Sequence, residues 1–488
     1  MSFKSVVVVS NRLPITVEKV KKGQWVAHSS SGGLVTAMGS VLRNHGGKWI
    51  GWLGAQEMPD KASLKSILSR SAEELGYTLI PVNITEEEIE KYYHGFSNEI
   101  LWPLLHDFLS NCNFDPQYAN AYRKVNRKFA QAIAEGTSED DYIWVQDYLF
   151  SLVARELREI GVKRQTGFFL HTPFPPFDIF IKLPWRFEIL EAMLEYDLLG
   201  FQTERDKKNF LRCVRRLMKF KTPGRKNIKK IVTKKGEVQI GTFPISIDFK
   251  EFSKSAAAEE VTKEVRIIRQ NHENRQLILG VDRLDYTKGV PHRLRAFAEA
   301  LARYPEMRGK TEFIQLVVPS RMNVDSYQEL KQEIEGLVGE INGQYTDGGW
   351  TPVHYMFRSV SRTELLAYYR ACEIALVTPL KDGMNLVAKE YCASNIDRDG
   401  VLILSEFAGA AAELQRGALL VNPYDVESVS HSIHQAFSMG LDEKRERMKK
   451  LRRSISRNDV FHWVNSFLGA SVKGSSDVPE VDFFVPML

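Results

Sequence analysis

The segment DGMNLVAKE, residues 382–390, follows the apolar run 374–377, which is typical of a buried strand, and leads into a helix-forming stretch. A glycine turn that opens a helix exposes backbone N–H groups and the positive end of the helix dipole, which suits a phosphate. Asp382 and Glu390 flank this turn. Because carboxylates repel phosphate, we expect these two side chains to accept hydrogen bonds from sugar hydroxyls. The segment therefore predicts a nucleotide-sugar site.

Short apolar runs alternate with helix-like stretches along most of the chain. The strand-like runs are residues 6–9, 142–145, 167–170, 277–281, 313–318, 374–377 and 401–404, and amphipathic stretches such as 152–160 and 327–337 lie between them. This alternation is typical of parallel sheets with helices on both faces. A chain of 488 residues is also too long for one compact core. We therefore predict an α/β fold with two domains.

The domain boundary is expected near the middle of the chain, where a basic stretch and the segment GTFP, residues 241–244, interrupt the alternation. We predict an N-terminal domain over residues 1–243, a C-terminal domain over 244–460, and a last segment, 461–488, that packs back on the N-terminal domain. The final residues, 474–488, lose the helical period and are expected to form a docked or loose tail.

Composition excludes several classes of protein. The 43% hydrophobic and 26% charged residues are ordinary for a globular protein, and no apolar run reaches the length that crosses a bilayer. No signal-peptide pattern precedes the first apolar run, so we expect a cytoplasmic location. Four cysteines without CxxC spacing are interpreted as buried thiols, and no metal site is predicted.

The net charge of +5 is concentrated between residues 205 and 235. A surface that binds nucleic acid would need interleaved aromatic side chains for stacking, and only Phe210 and Phe220 occur there. A solvated basic surface, which can also steer anionic substrates, is the better interpretation.

Polar side chains stand at the carboxyl ends of the predicted strands, where open α/β sheets bind their ligands. The residues in such positions are Arg12, Asp147, His171, Arg283, Arg321 and Asp382. Arg283 and Lys288 lie five residues apart across a strand-to-helix turn, and together they can grip a diphosphate. His171 and Asp147 are candidates for general acid-base work.

A second anion site is indicated by SNR, residues 10–12, and by SSSGGL, residues 29–34, in which Gly33 lets the backbone approach a ligand closely. An ordinary glycine turn remains an equal alternative. Tyr93 and Trp102 can supply a hydroxyl group and an apolar face for a sugar, although both also suit a core. The chain lacks HExxH, a nucleophile elbow and a Walker-type loop, which argues against metalloproteases, the corresponding hydrolases and P-loop kinases.

A family resemblance emerges from nine segments taken together. In chain order they are SNRLP, SSGGL, YYHGFSNEILWP, QDY, HTPFP, EYDLLGFQT, VDRLDYTKG, NGQYTDGGWTP and DGMNLVAKEY. From residue 6 to about residue 463 the chain resembles the trehalose-6-phosphate synthases, a family of retaining GT-B glycosyltransferases. The resemblance implies two Rossmann-like domains that face each other across a deep cleft. It also implies metal-free transfer of glucose from UDP-glucose to glucose 6-phosphate, by a front-face mechanism that retains the anomeric configuration.

The resemblance also assigns residues to substrates. The donor nucleotide sugar is expected on Gly33, His171, Arg283, Lys288, Asp382, Gly383, Met384, Asn385, Leu386 and Glu390. Within this set, the two cations hold the diphosphate, Glu390 holds the ribose, and His171 lies beside the glucose. The acceptor glucose 6-phosphate is expected on Arg12, Tyr93, Trp102, Asp147 and Arg321. The catalytic residues are expected to be Asp147, His171, Arg283 and Lys288.

Some alternatives stay open. Many relatives have HDYH where this chain has QDYL, residues 146–149, so Gln146 and Leu149 leave the acceptor preference open. The alternative hypotheses are ADP-glucose or GDP-glucose as donor, and glycerol phosphate or a cyclitol phosphate as acceptor. A further alternative is a non-catalytic sensor of glucose 6-phosphate. No DxDxT-like start of a phosphatase domain occurs, so the product would leave phosphorylated. Only small-molecule substrates are expected as partners, without cofactor, nucleic acid or membrane, and a homo-oligomer is left open.

Overall fold

The chain forms two compact units in the computed structural model. The structure describes residues 5–20, 25–29, 35, 38–39, 42–43, 47–55, 59–220, 229–233, 236–322 and 324–472. The first unit combines the residues up to Pro244 with the segment that begins at Trp463, and the second unit is Ile245–His462. Gly33, parts of the basic stretch (221–228 and 234–235) and the tail from residue 473 lie outside the described residues.

The first unit is built on an eight-stranded sheet with the order β5-β4-β1-β6-β7-β8-β10-β9. Its neighbouring strands run parallel except for the antiparallel pair β9–β10, and β2 and β3 form a separate antiparallel pair. The strands are β1 Ser5–Arg12, β2 Ile15–Lys19, β3 Trp25–Ser29, β4 Lys48–Trp52, β5 Thr78–Pro81, β6 Asp141–Gln146, β7 Thr166–Leu170, β8 Leu198–Phe201, β9 Lys229–Thr233 and β10 Gly236–Thr242. Strands β6 and β7 are buried along their whole length, as expected for a parallel sheet covered on both faces.

Helices surround this sheet. They are α1 Lys61–Leu75, α2 Glu86–Glu88, α3 Trp102–Leu105, α4 Pro116–Gly136, α5 Val153–Glu159, α6 Phe177–Phe180, α7 Arg186–Met193 and α8 Glu204–Met218, with a π-helix over Ile89–Leu101 and short 3-10 turns at Leu109–Asn111 and Tyr148–Phe150. Helix α4 begins at an Asp115 cap that accepts the N–H of Gln117, and a proline occupies its first turn.

The second unit contains a six-stranded, fully parallel sheet with the order β13-β12-β11-β14-β15-β16. The strands are β11 Gln276–Arg283, β12 Thr311–Val318, β13 Val353–Phe357, β14 Ile374–Val377, β15 Val401–Ser405 and β16 Leu419–Val421. The helices are α9 Phe249–Ala256, α10 Glu259–Asn271, α11 Val290–Arg303, α12 Asp325–Tyr345, α13 Arg362–Ala371, α14 Leu386–Ser394, α15 Ala411–Leu414, α16 Val426–Ser438 and α17 Leu441–Arg457, with 3-10 turns at Tyr286–Lys288 and Pro305–Met307. The two parallel sheets confirm the α/β prediction.

The last helix, α18 Val460–Ser471, begins in the second unit and ends in the first. The ring of Phe467 stacks on Trp144 of β6 at 4.4 Å and 8°. Gly167 and Gly200 make room for Phe467, since a Cβ atom at either position would lie within 3.0 Å of its ring, at 2.9 Å and 2.7 Å. Two small residues on adjacent strands therefore allow this aromatic anchor to lie against the first sheet.

No helix in the described part of the chain is long and apolar enough to cross a membrane. Among the four cysteines, Cys112 is half-buried and the other three are buried, and all are free thiols. Cytoplasmic location and oligomeric state stay predictions.

Candidate active site

Both sheets contain the topological switch point at which open α/β folds bind ligands. In the first unit the strand order reverses between β1 and β6, and in the second between β11 and β14. A crevice opens beyond the carboxyl ends of two such strands because their connections leave in opposite directions. Arg12 ends β1 and Asp147 follows β6, whereas Arg283 ends β11 and Asp382 follows β14. Each switch point therefore carries one predicted cation and one predicted carboxylate.

The Arg12 side chain is exposed, and aromatic residues contact it directly or reach its backbone through hydrogen bonds. Its guanidinium lies over the Trp52 ring, 5.0 Å from the ring centroid. The hydroxyl of Ser10 donates to the carbonyl of Arg12 at 2.7 Å, and the indole N–H of Trp49 donates to that hydroxyl at 2.8 Å. Arg12 forms no ion pair within the described ranges, so the charge of this oriented guanidinium is available to an anion.

Tyr93 and Trp102 belong to the long π-helix and the residue that follows it. Nine positions separate them, which amounts to about two turns of a π-helix, whose hydrogen bonds join residues i and i+5. They therefore lie on one face, whereas an ordinary α-helix would place them on opposite faces. The amide of Asn98 donates to the Tyr93 carbonyl at 2.6 Å and accepts from the Tyr148 hydroxyl at 3.1 Å, which ties this helix to the residue after Asp147.

Asp147 adopts a left-handed backbone conformation with φ 75°. One of its carboxylate oxygens accepts the backbone N–H groups of His171 at 3.1 Å and Thr172 at 3.4 Å. Its own N–H donates to the Phe169 carbonyl at 2.7 Å. Asp147 thus fixes the start of the loop that carries His171, as well as being a candidate for contact with the acceptor. Strained backbone of this kind concentrates at functional sites.

His171 is held as a neutral imidazole. Burial lowers the pKa of His171 to about 3, so it stays uncharged at neutral pH. The Nε2 atom lies 2.9 Å from Gln146 Oε1, and this acceptor oxygen favours the tautomer with the proton on Nε2, which leaves Nδ1 as an acceptor. The ring also packs edge-on against Phe169 at 4.7 Å. This geometry suits His171 as a hydrogen-bond acceptor, and its acid-base role stays a prediction.

In the second unit, Lys288 and Asp382 form an ion pair with 2.5 Å between Nζ and Oδ2. The amide of Asn385 donates to the same oxygen at 3.2 Å. Sequence reasoning predicted that Lys288 would serve the diphosphate and Asp382 the sugar, and the structure brings these two residues into direct contact. A bound diphosphate would thus meet a cation that is already oriented by a carboxylate.

The turn before α14 differs in detail from the glycine turn predicted from sequence. The left-handed residue is Asn385, with φ 73°, and its side chain caps α14 by accepting the N–H of Ala388 at 3.2 Å. Close packing here depends on Gly409, because a Cβ atom at that position would lie 1.8 Å from the Gly383 carbonyl oxygen. Met384 and Gly383 are buried, and the Met384 carbonyl accepts the N–H of Ala410 at 2.8 Å. Leu386 is the first residue of the helix.

Arg283 is exposed at the end of β11, and its side chain makes no hydrogen bond or ion pair with another described residue. Arg321 is more constrained: its guanidinium lies 3.6 Å from Asp285 and also bonds the Tyr327 hydroxyl. Its backbone is left-handed, with φ 50°. Arg321 lies in the second unit. Arg12 and Tyr93, which the sequence predicts to bind the acceptor phosphate together with Arg321, lie in the first unit.

Glu390 lies one turn into α14 and accepts a hydrogen bond from the Tyr369 hydroxyl at 2.9 Å. Burial raises the pKa of Glu390. The contact of Glu390 with the ribose stays a prediction.

The sequence did not predict that a buried arginine, Arg293, contacts the backbone of Lys288. Arg293 is 1% exposed, and its guanidinium pairs with Asp282 at 2.6 Å and bonds Gln315 at 3.1 Å. It also reaches the carbonyl of Lys288 at 3.4 Å. No motif pointed to Arg293, because an arginine within a helix ordinarily suggests a solvated surface.

Comparisons with known proteins identify the family of this chain. The model of the family described as glycosyltransferase family 20 matches residues 4–471. A trehalose-6-phosphate synthase of Mycobacterium leprae is 44% identical over 470 residues, covering 95% of this chain and 94% of that protein. The solved structure of a UDP-forming α,α-trehalose-phosphate synthase from Burkholderia xenovorans in complex with glucose-6-phosphate is 33% identical, covers 96% of this chain and 99% of that chain, and has a TM-score of 0.85. An Escherichia coli structure, described as trehalose-6-phosphate bound with UDP-2-fluoro glucose, is 36% identical with a TM-score of 0.85 and covers 96% of this chain and 99% of that chain.

Proposed function

Because the chain belongs to glycosyltransferase family 20, we propose that it transfers glucose from UDP-glucose to glucose 6-phosphate, giving α,α-trehalose 6-phosphate and UDP with retained configuration. Family membership confirms the resemblance and the GT-B fold that the sequence predicted, and it makes the chain a glycosyltransferase. Among the features of the chain itself, the pair of Lys288 and Asp382 at the second switch point carries the proposal.

The donor half of the proposal assigns the diphosphate to Lys288 and Arg283. Negative charge grows on the diphosphate as the bond between the glucose carbon and its phosphate oxygen breaks, and two pre-oriented cations stabilise that charge. Lys288 is held by Asp382 at 2.5 Å, and this preorganisation reduces the reorganisation needed during the reaction. Glu390 would take the ribose, and the turn over residues 383–386 would take the glucose and diphosphate.

The acceptor half assigns the phosphate of glucose 6-phosphate to Arg12, Tyr93 and Arg321, and its sugar to Trp102 and Asp147. Arg12 supports this role because it is exposed, stacked on Trp52 and without an ion pair among the described residues. Tyr93 and Trp102 share a face of the π-helix region, so a hydroxyl group and an aromatic surface are presented together.

The proposed mechanism takes place on one face of the donor sugar. The bond between the anomeric carbon and the diphosphate oxygen breaks, the acceptor oxygen bonds the same carbon from the same side, and the acceptor proton passes to the departing phosphate. His171, neutral through its lowered pKa, would accept a hydrogen bond from a donor hydroxyl and would not supply the proton. Proposed in this form, the reaction needs no metal.

The experiment is to incubate the protein with UDP-glucose and glucose 6-phosphate, measure UDP release, and identify the product and its anomeric configuration by NMR. Release of UDP with formation of α,α-trehalose 6-phosphate, unchanged by EDTA, is the expected result. Parallel reactions with ADP-glucose and GDP-glucose, and with glycerol phosphate and a cyclitol phosphate as acceptors, test the alternatives. Absence of turnover together with glucose 6-phosphate binding would instead identify a sensor.

A further inference from the structure

Three metal-ligating side chains meet at the amino-terminal edge of the second sheet. His272 caps the end of α10, Glu312 is the second residue of β12, and His354 is the second residue of β13. One ligand atom from each, a ring nitrogen of the two histidines and a carboxylate oxygen of Glu312, lies within 4.8 Å of the others. Such an arrangement resembles the ligand sets of transition-metal sites.

This cluster is separate from the candidate active site. Strands β11 and β12 pair Leu277 with Glu312 and Arg283 with Val318. Six residues of strand separate these two pairs, which corresponds to about 20 Å. The cluster therefore lies at the opposite end of the strands from Arg283, and none of its residues belongs to the proposed glycosyl transfer.

The carboxylate of Glu312 is the centre of the cluster. It is wholly buried, at 0% exposure, so it needs compensating charge. Arg275 pairs with one oxygen, and the other faces both His272 and His354. The Nε2 atom of His354 lies 3.2 Å from that oxygen, is itself buried, and makes no hydrogen bond of good geometry in the described part of the chain. An imidazole nitrogen is thus directed at the carboxylate without being satisfied by it.

We propose that His272, Glu312 and His354 bind one divalent transition-metal ion of the zinc class. Two imidazoles and one carboxylate, with water in the remaining position, form a familiar zinc ligand set. The 3.2 Å separation of His354 Nε2 and the Glu312 oxygen is close to the ligand spacing of about 3.3 Å in a tetrahedral shell with bonds near 2.0–2.2 Å. His272, which contacts the same oxygen more closely, has to move outward to admit the ion.

Arg275 fits this site as an outer partner. It bonds the Glu312 oxygen that faces away from the histidines, and such contacts orient ligating carboxylates. The nitrogen ligands favour zinc over magnesium or calcium, which prefer oxygen alone. The ion would join the end of α10 to β12 and to the edge strand β13, so it would stabilise the second unit without entering the reaction.

The test uses the full-length, untagged protein after treatment with chelator, titrated with ZnCl₂ in a calorimeter. One zinc ion per chain at micromolar zinc is the expected result. His354→Gln and His272→Gln should each weaken binding at least tenfold, since loss of even an outer partner costs about 10–100-fold. His28→Gln is the matched control, because His28 forms an exposed pair with Glu18 at 3.0 Å, and it should leave binding unchanged.

Zinc K-edge absorption of the wild-type protein tests the same proposal without a substitution. The expected spectrum shows only nitrogen and oxygen ligands, with the outer-shell scattering of imidazole. Sulfur in the first shell would overturn the proposal by moving the ion to a cysteine. Failure of the wild-type protein to bind zinc at micromolar concentration, or binding that His354→Gln and His272→Gln leave unchanged, would overturn it as well. UDP release should be the same with and without zinc.

Discussion

The ammonium group of Lys288 lies 2.5 Å from the Asp382 carboxylate, although 94 residues separate the two in sequence. Lys288 ends the 3-10 turn after β11, and Asp382 follows β14, so the pair closes the switch point of the second sheet. Both side chains are largely buried, at 11% and 15% exposure. In such a setting a charged partner matters more than it does at the surface, because water screens the pair less.

Lys288→Ala should lower kcat by about 10²–10³-fold, the usual cost of removing one group that stabilises transition-state charge. The substitution also leaves the Asp382 carboxylate unpaired beside the proposed diphosphate position. Steady-state kinetics with UDP-glucose measures the effect. Lys263→Ala, which removes an exposed lysine paired with Glu259 at 3.0 Å, is the matched control and should retain wild-type turnover.

Arg283→Ala should also reduce kcat strongly, because the second cation at this switch point is lost. Arg295→Ala is the control, since Arg295 is an exposed arginine of the same unit that pairs only with Glu333 in the described part of the chain. We expect Arg283→Ala to lose at least about tenfold more in kcat than the control. Near-wild-type turnover of Arg283→Ala would contradict the assignment of the diphosphate to this residue.

Arg12→Ala should act on the acceptor. Removal of a charge-assisted hydrogen bond of about 1.5–3 kcal/mol corresponds to a rise of roughly 10–150-fold in the KM for glucose 6-phosphate, with the KM for UDP-glucose unchanged. Arg186→Ala is a close control, because Arg186 also stacks on an aromatic ring, that of Phe187, at 4.9 Å. An unchanged acceptor KM in Arg12→Ala would remove this residue from the acceptor site.

Gln146→Glu should change the pH dependence of the reaction. A carboxylate beside His171 stabilises the imidazolium and raises its pKa by about 1–3 units from the present value of about 3. Because the protonated ring cannot accept a hydrogen bond at Nδ1, kcat should then fall on the acid side at a higher pH than in the wild type. Gln146→Leu removes the hydrogen-bond acceptor of His171 without adding charge. It should lower kcat without moving the acid side of the pH profile to a higher pH. Superimposable profiles of Gln146→Glu and wild type down to about pH 4, the lower end of the shifted pKa range, would contradict the positioning role of Gln146.

The lowered pKa of His171 also makes the free energy of unfolding depend on pH. Its folded-state value, about 3, lies below the ordinary 6.5, so the unfolded chain binds a proton more readily between these two values. The stabilising contribution of the neutral ring is therefore complete above pH 6.5 and is lost as the pH falls toward 3. Unfolding by urea at a series of pH values should show a shallower acid decline in His171→Gln than in the wild type.

The two sheets could be predicted from sequence because their strands are continuous apolar runs, such as Val6–Val9 in β1, bounded by helical periodicity. The strand-end positions of Arg12 and Asp147 followed from the same pattern. The contact of Gln146 with His171 could not be predicted, since it depends on side-chain direction, which the sequence pattern does not give. The same holds for Asn385, because the sequence does not show which residue between Gly383 and the start of α14 takes the left-handed conformation.

Side-chain contacts between residues that are distant in the chain also could not be predicted from the sequence. Arg293 joins Asp282, Gln315 and Lys288 from three separate elements, and sequence spacing alone does not bring them together. The cluster of His272, Glu312 and His354 likewise joins a helix end to two adjacent strands, and these residues lie far apart in the chain. Metal-ligand spacing in sequence is informative only when the ligands share one local element.

Gly409→Ala should displace the turn before α14, residues 383–386, through steric overlap alone. An added Cβ atom would lie 1.8 Å from the Gly383 carbonyl oxygen, which is backbone and cannot rotate away. Overpacking of this kind costs about 1–3 kcal/mol or more, and displacement of Gly383 and Met384 should raise the KM for UDP-glucose. Gly339→Ala is the control, because Gly339 lies in α12 with open space around its Cβ position, and alanine there should stabilise by up to about 1 kcal/mol. Urea unfolding and donor kinetics measure both variants, and equal stability of the two would show that the turn before α14 can move freely.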